Sequence, residues 1–138
     1  MLEAERDAVA AAARRLAGAG LVIGTAGNVS ARAQELVAVS PTGAALQDLE
    51  ASDIAVVDLD GTHVDGPRPA TSELELHLGI YRRYEAGAVV HTHAPMATAL
   101  ACVLDELPVN LNHRKGTKSE RFQRSQWNLL DGDYLALT

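Results

Sequence analysis

The 138-residue chain is long enough for one domain with one sizeable core, and its 47% apolar and 22% charged residues are those of a globular protein. A formal charge of −6 argues against a general nucleic-acid surface but leaves small anions open, because these are held by local geometry. The single cysteine, Cys102, excludes an intrachain disulfide framework and reads as a buried, inert thiol in an apolar helical stretch; no run of apolar residues is long enough for a membrane span.

Residues 3–17 read as a first helix, with Val9, Ala12, Ala13 and Leu16 at helical spacing and acids near the start to suit the helix dipole. Those early acids and the lack of a long hydrophobic core do not fit a signal peptide, so a cytoplasmic location is expected. "GAG" at 18–20 then releases the chain. "NVSAR" and "ELVAVS" predict a hairpin that turns near Ala33 and Gln34. "DIAVVDLDGTHV" predicts another, with Asp60-Gly61 supplying the positive φ of a tight two-residue turn. "TSELELHLGIYRRY" predicts a helix capped by Thr71 or Ser72, with Leu74, Leu78 and Tyr81 as its packing stripe. "AGAVVHTH" reads as an apolar strand central in a sheet, and "APMATALACVL" as the start of the next helix, with Pro95 in its first turn. Because small aliphatic residues dominate and aromatics make up only 4%, alanine and valine must fill the core.

The chemistry gathers at three places. His91 and His93 flank Thr92, and a strand continuing through them would put both imidazoles on one face, where they can grip one ion. Alone, the pair fits a surface histidine beside a buried one equally well. Glu73 and His77, four residues apart on one helix face that feeds into this strand, strengthen the metal reading. A carboxylate near two neutral imidazoles makes a charge-stabilised divalent site, and zinc asks for three protein ligands plus an open position. His77 stays open between a ligand, a partner of the ligands and a packed core residue. In "GTAGNVS", Gly24 and Gly27 let the backbone fold around an anion while Thr25, Asn28 and Ser30 offer donors. "SPTG" at 40–43 is a second such turn, and "TSE" at 71–73 puts two hydroxyls at a helix N-terminus, where free N–H groups favour phosphate. Each alone is a turn or a cap; the three together beside a metal set point to a phosphorylated substrate.

In order and spacing, "GLVIGTAGNVSAR", "VSPTG", "TSELELHLGIYR" and "AVVHTHAP" resemble the class II aldolase/adducin family, over residues 1–109. The resemblance implies an α/β three-layer fold in which helices flank a central mixed, mainly antiparallel sheet. It implies one zinc ion per subunit on His91 and His93, with Glu73 as a ligand or the catalytic acid/base. It also implies a phosphate pocket on Thr25, Asn28, Gly43, Thr71 and Ser72, Thr71 standing where serine is frequent. The implied activity is that of a zinc-dependent aldehyde-lyase. It would cleave a ketose 1-phosphate, L-fuculose 1-phosphate-like, to dihydroxyacetone phosphate and an aldehyde in a homo-oligomer, often a tetramer in the family. Both lysines, Lys115 and Lys118, lie far from these motifs, which argues against Schiff-base chemistry. Two other branches are a pentulose-phosphate 4-epimerase, where an aspartate often stands in place of Glu73, and an adducin-like interaction domain without catalysis.

Residues 110–138 depart from the pattern. They carry +2 against −8 for residues 1–109, and they contain the only Trp and the only Phe. The family's remaining zinc histidine sits in an "NHG" segment of its second half, and nothing after Val109 resembles that continuation. His113 follows the strand too soon to match it. A divergent basic tail is therefore expected, whether from a shifted reading frame, a shortened gene or a genuine replacement. Self-association is expected as well, since a sheet lacking the family's later strands would leave an edge to be covered.

Overall fold

The computed structural model describes residues 1–93. The helix expected after His93, Cys102, His113, the boundary at Val109 and the 110–138 tail lie outside the described residues.

Helix α1 (Glu3–Gly18) is built from alanine and long straight side chains, the strongest helix formers, with Glu3 and Glu5 in its first turn and Arg15 in its last. It buries Val9, Ala10 and Ala13, while Ala12 and Leu16 are partly buried. Strands β1 (Asn28–Ala33) and β2 (Leu36–Val39) form the first hairpin, with Gln34 taking a left-handed φ of 57° at the turn. Two short 3-10 turns, Leu46–Asp48 and Ala51–Asp53, lead into β3 (Ala55–Asp58) and β4 (His63–Asp65). Helix α2 (Leu74–Arg83) and strand β5 (Ala88–His91) complete the set.

The five strands are ordered β4-β3-β2-β1-β5, and the expected mixed sheet is antiparallel at every pairing among the described residues. Alternation along β1 makes the layers. Val29 and Ala31 join the α1 core with Ala38, Leu46, Leu49 and Ile54. Asn28, Ser30 and Arg32 face the other way and bond to α2. One helix thus covers each face of the sheet, and each fully buried Leu, Ile or Val contributes about 1.5–3 kcal/mol. Arg6 of α1 reaches across to Asp65 of β4 at 2.7 Å, fastening the helix to the sheet's far strand. None of the described helices is long and apolar enough to cross a membrane.

Three expectations need correction. Strand β5 is not central: it pairs only with β1 and forms an edge among the described residues, with Val90 51% exposed. The β3–β4 connection is wider than a two-residue turn. Leu59–Thr62 loop out, only Gly61 takes a positive φ (87°), and the Asp58 carboxylate holds the N–H groups of Asp60 and Thr62. Helix α2 begins at Leu74, with Glu73 rather than Thr71 or Ser72 at its N-cap position. The Thr71 hydroxyl oxygen accepts the Glu73 N–H at 3.3 Å, so it caps the turn ahead of the helix. Leu78 and Tyr81 are buried as expected, and Leu74 is partly so.

Candidate metal centre

The centre stands where the start of β1, the start of α2 and the end of β5 meet. The ladder pairs Asn28 with His91, which places the β1 start beside the histidines. Gly27 makes this close approach feasible. At φ 87°, an added Cβ would come within 2.8 Å of both the His91 carbonyl oxygen and the Val22 side chain, so only glycine fits. Gly27 thus makes room for the histidine strand.

Strand β5 stops at His91, so His93 lies two residues beyond regular pairing. The two imidazoles still converge, edge to face with ring centroids 4.7 Å apart and Nε2 atoms 2.9 Å apart. Glu73 Oε2 lies 3.5 Å from His91 Nε2, and one ligand atom from each of Glu73, His91 and His93 falls within 4.8 Å of the others. In a tetrahedral zinc site two nitrogen ligands lie roughly 3.3 Å apart, close to the observed spacing. Two imidazole nitrogens and a carboxylate oxygen are a donor set that zinc accepts. Burial lowers the pKa of His91, Glu73 opposes the shift and His93 adds to it, leaving the His91 imidazole neutral and ready to ligate near neutral pH.

Behind Glu73 runs a buried chain of hydrogen bonds. The Asn28 carboxamide donates from Nδ2 to Glu73 Oε2 at 2.5 Å, and its Oδ1 accepts from His77 Nε2. Ser30 Oγ lies 2.7 Å from His77 Nδ1 and 2.7 Å from the Tyr81 hydroxyl. Asn28, Ser30, His77 and Tyr81 are all buried, His77 completely. Burial pushes the His77 pKa down to about 4, with His91 adding to the shift and Glu73 opposing it, so the ring is neutral. Burial likewise raises the Tyr81 pKa, against its bonds to Ser30 and the Val89 backbone, so its hydroxyl keeps its proton.

Two periodicities build this chain. Glu73, His77 and Tyr81 recur every four residues along the start of α2, a rise of about 6 Å per step. Asn28, Ser30 and Arg32 recur every two along β1, roughly 6.8 Å per step. The steps nearly match, so the two rows zip together: Asn28 to Glu73 and His77, Ser30 to His77 and Tyr81, Arg32 Nη1 to the Tyr81 carbonyl at 2.9 Å. Of the roles left open for His77, the geometry selects a partner of the ligands. Ser30, read as an anion donor, points away from the glycine turn into α2. The Tyr81 hydroxyl had no signal of its own beyond the matched four- and two-residue spacings.

The three segments of the expected phosphate pocket are joined through Ser40. Its N–H donates to the Val29 carbonyl at 2.9 Å, its hydroxyl accepts the Val29 N–H at 3.1 Å, and its carbonyl accepts the Thr71 N–H at 3.1 Å. The Thr42 N–H bonds the Pro69 carbonyl at 3.1 Å, fixing the Gly43 turn (φ 64°) beside the start of α2. Thr71 is buried and Asn28 is engaged with Glu73, whereas Thr25, Gly43 and Ser72 lie exposed at their turns.

The profile described as the Class II Aldolase and Adducin N-terminal domain matches residues 7–125. The 5-deoxy-D-ribulose 1-phosphate aldolase of Bacillus thuringiensis serovar kurstaki is 40% identical over 111 residues, which are 78% of this chain and 52% of that protein. The 5-methylthioribulose-1-phosphate/5-deoxyribulose-1-phosphate aldolase of Rhodospirillum rubrum is 44% identical over 98 residues, 70% of this chain and 44% of that one. Among solved structures, an L-fuculose 1-phosphate aldolase superposes with a TM-score of 0.70 at 33% identity, covering 75% of this chain and 50% of its own. The chain spans about half the length of the curated relatives it matches. With the motifs in order, helices on both faces of the antiparallel sheet and a profile match across most of its length, the chain belongs to the class II aldolase and adducin family.

Proposed function

We propose that this chain carries the metal-binding and phosphate-binding part of a zinc-dependent aldolase. Its substrate would be a short ketose 1-phosphate, of the 5-deoxyribulose 1-phosphate or L-fuculose 1-phosphate kind, cleaved reversibly to dihydroxyacetone phosphate and an aldehyde. The observation that carries the reading is the convergence of Glu73, His91 and His93, with ligand atoms within 4.8 Å of one another.

A divalent ion bound there would polarise the substrate carbonyl and offset the negative charge that develops on its oxygen. In the cleavage direction the C4 hydroxyl gives up its proton, the C3–C4 bond breaks, and C3 takes up a proton as the aldehyde leaves. Glu73 stands beside His91, within reach of that centre, and carries the proton at C3. Thr25, Asn28, Gly43, Thr71 and Ser72 hold the substrate phosphate, which fixes the carbon chain against Glu73 and supplies binding energy remote from the reacting bond. Asn28 keeps a second amide hydrogen for this purpose, since its Nδ2 has two and Glu73 takes one. The assembly proposed is a homo-oligomer, which a β5 edge left open among the described residues would favour.

Metal analysis after dialysis decides the reading. The wild-type chain should retain about one zinc ion per subunit, as expected for a single such site, and the His91→Ala, His93→Ala double variant should lose it. Equal metal content in the two proteins would sink the proposal.

A further inference from the structure

With the buried His77 ring neutral, bonding capacity determines the direction of every hydrogen bond in the buried chain. Glu73 is an acceptor, so the Asn28 carboxamide must turn its NH2 toward it and its Oδ1 toward His77. Oδ1 only accepts, so His77 Nε2 must carry the ring proton. The ring is neutral, which leaves Nδ1 an acceptor and makes Ser30 its donor. Ser30 has then spent its proton, and the Tyr81 hydroxyl must donate to it. No member can reverse without leaving a buried donor facing a donor or an acceptor facing an acceptor.

We propose that His77, backed by Ser30 and Tyr81, is a positioning residue: it locks the Asn28 carboxamide with its NH2 toward Glu73 and so holds the Glu73 carboxylate against His91. This rests on the reading of Glu73, His91 and His93 as the metal set. Without the Nε2–H donor, Asn28 can rotate its amide. Its oxygen would then meet the Glu73 carboxylate, and like partial charges at 2.5 Å would push the carboxylate away from His91. His77 hydrogen-bonds to Asn28 and Ser30, and its orienting influence on Glu73 passes through the Asn28 carboxamide.

The test compares His77→Gln with His77→Met in the full chain. Glutamine can place an amide N–H near the Nε2 position, whereas methionine fills similar volume without a donor. The first readout is the Asn28 side-chain amide in the metal-free protein by NMR. One Nδ2 proton should be shifted downfield and protected from exchange in the wild type and in His77→Gln, and that signature should be lost in His77→Met. The second is zinc affinity by chelator competition. His77→Gln should stay close to wild type, and His77→Met should bind about 10-fold more weakly, as when a ligand loses its hydrogen-bonded support. A donor-independent packing role would make the two variants alike in both readouts, and that result would overturn the proposal. If His77→Met does not fold, Ser30→Ala takes its place: it removes the donor to Nδ1 and should weaken both signals, and an unchanged Asn28 amide and zinc affinity would again overturn the idea. The readouts also separate the two readings. A wild-type chain that shows the protected Asn28 amide but binds no zinc refutes the metal centre and leaves the positioning chain standing. Zinc binding that needs His91 and His93 but ignores the residue at 77 refutes the positioning chain alone.

Discussion

His77 has the sequence signature of a metal ligand and the surroundings of a core residue. A histidine four residues after a glutamate on a helix looks the same in either role. What separates the roles is the strand opposite, where Asn28 and Ser30 take up both ring nitrogens. Complete burial without charge makes His77 a source of pH-dependent stability. Its pKa falls from an ordinary 6.5 to about 4 on folding, so as the pH drops through that window the unfolded chain takes up the proton first. The contribution is present in full above the unfolded value, declines as the pH falls from 6.5 toward 4, and is lost below the folded value. Between pH 7 and pH 4.5 the wild type should lose about 2 kcal/mol more unfolding free energy than His77→Gln, a difference set by the size of the shift. Urea unfolding at both pH values measures it, and parallel pH profiles would show that the ring titrates normally in the folded protein.

At the scale of elements, β1 and α2 are held together by a row of polar contacts. The rise of two strand residues nearly equals that of four helix residues, so three successive positions on each element stay in register. The glycine turn ahead of β1 sets how near β5 can come. Gly43 and Gly27 both take left-handed φ values, 64° and 87°, but an added Cβ meets nothing within 4 Å at Gly43 and meets the His91 carbonyl oxygen at 2.8 Å at Gly27. Gly43→Ala should therefore cost about 1 kcal/mol, the backbone term alone. Gly27→Ala should cost at least about 2 kcal/mol, because overpacking adds to it, and it should weaken zinc binding by displacing His91. Chemical denaturation of the two variants is the measurement; equal costs would mean that the β5 approach is looser than it stands here.

For the whole molecule, β5 ends the sheet among the described residues and carries exposed apolar surface. Val90 is 51% exposed on β5 and Ile23 67% exposed in the loop before β1. Open strand edges and apolar surface of this kind are usually covered by pairing. The purified chain should accordingly self-associate, and sedimentation velocity over the micromolar range should show species heavier than 14.6 kDa. A monomer that persists across that range would contradict the expectation. Retention of zinc in the same preparation tests the metal centre independently of assembly.

The sequence by itself determined the local elements and the family. Alanine-rich helical spacing gave α1, short strand-like runs bounded by turn residues gave β1 to β3, and "TSELELHLGIYR" gave α2 to within two residues of the start that a Thr71 or Ser72 cap implies. These are properties of near neighbours, and periodicity reports near neighbours directly. The resemblance also named Glu73, His91 and His93 together, and the fold brings them within ligand distance of one another. Only the tertiary structure could decide that β5 is an edge among the described residues, that Ser30 turns away from the glycine turn, and that Gly27 serves the approach of His91. Each of these depends on which face of one element meets another far along the chain. A pattern of spacings within one segment does not record the partner that satisfies its buried polar groups.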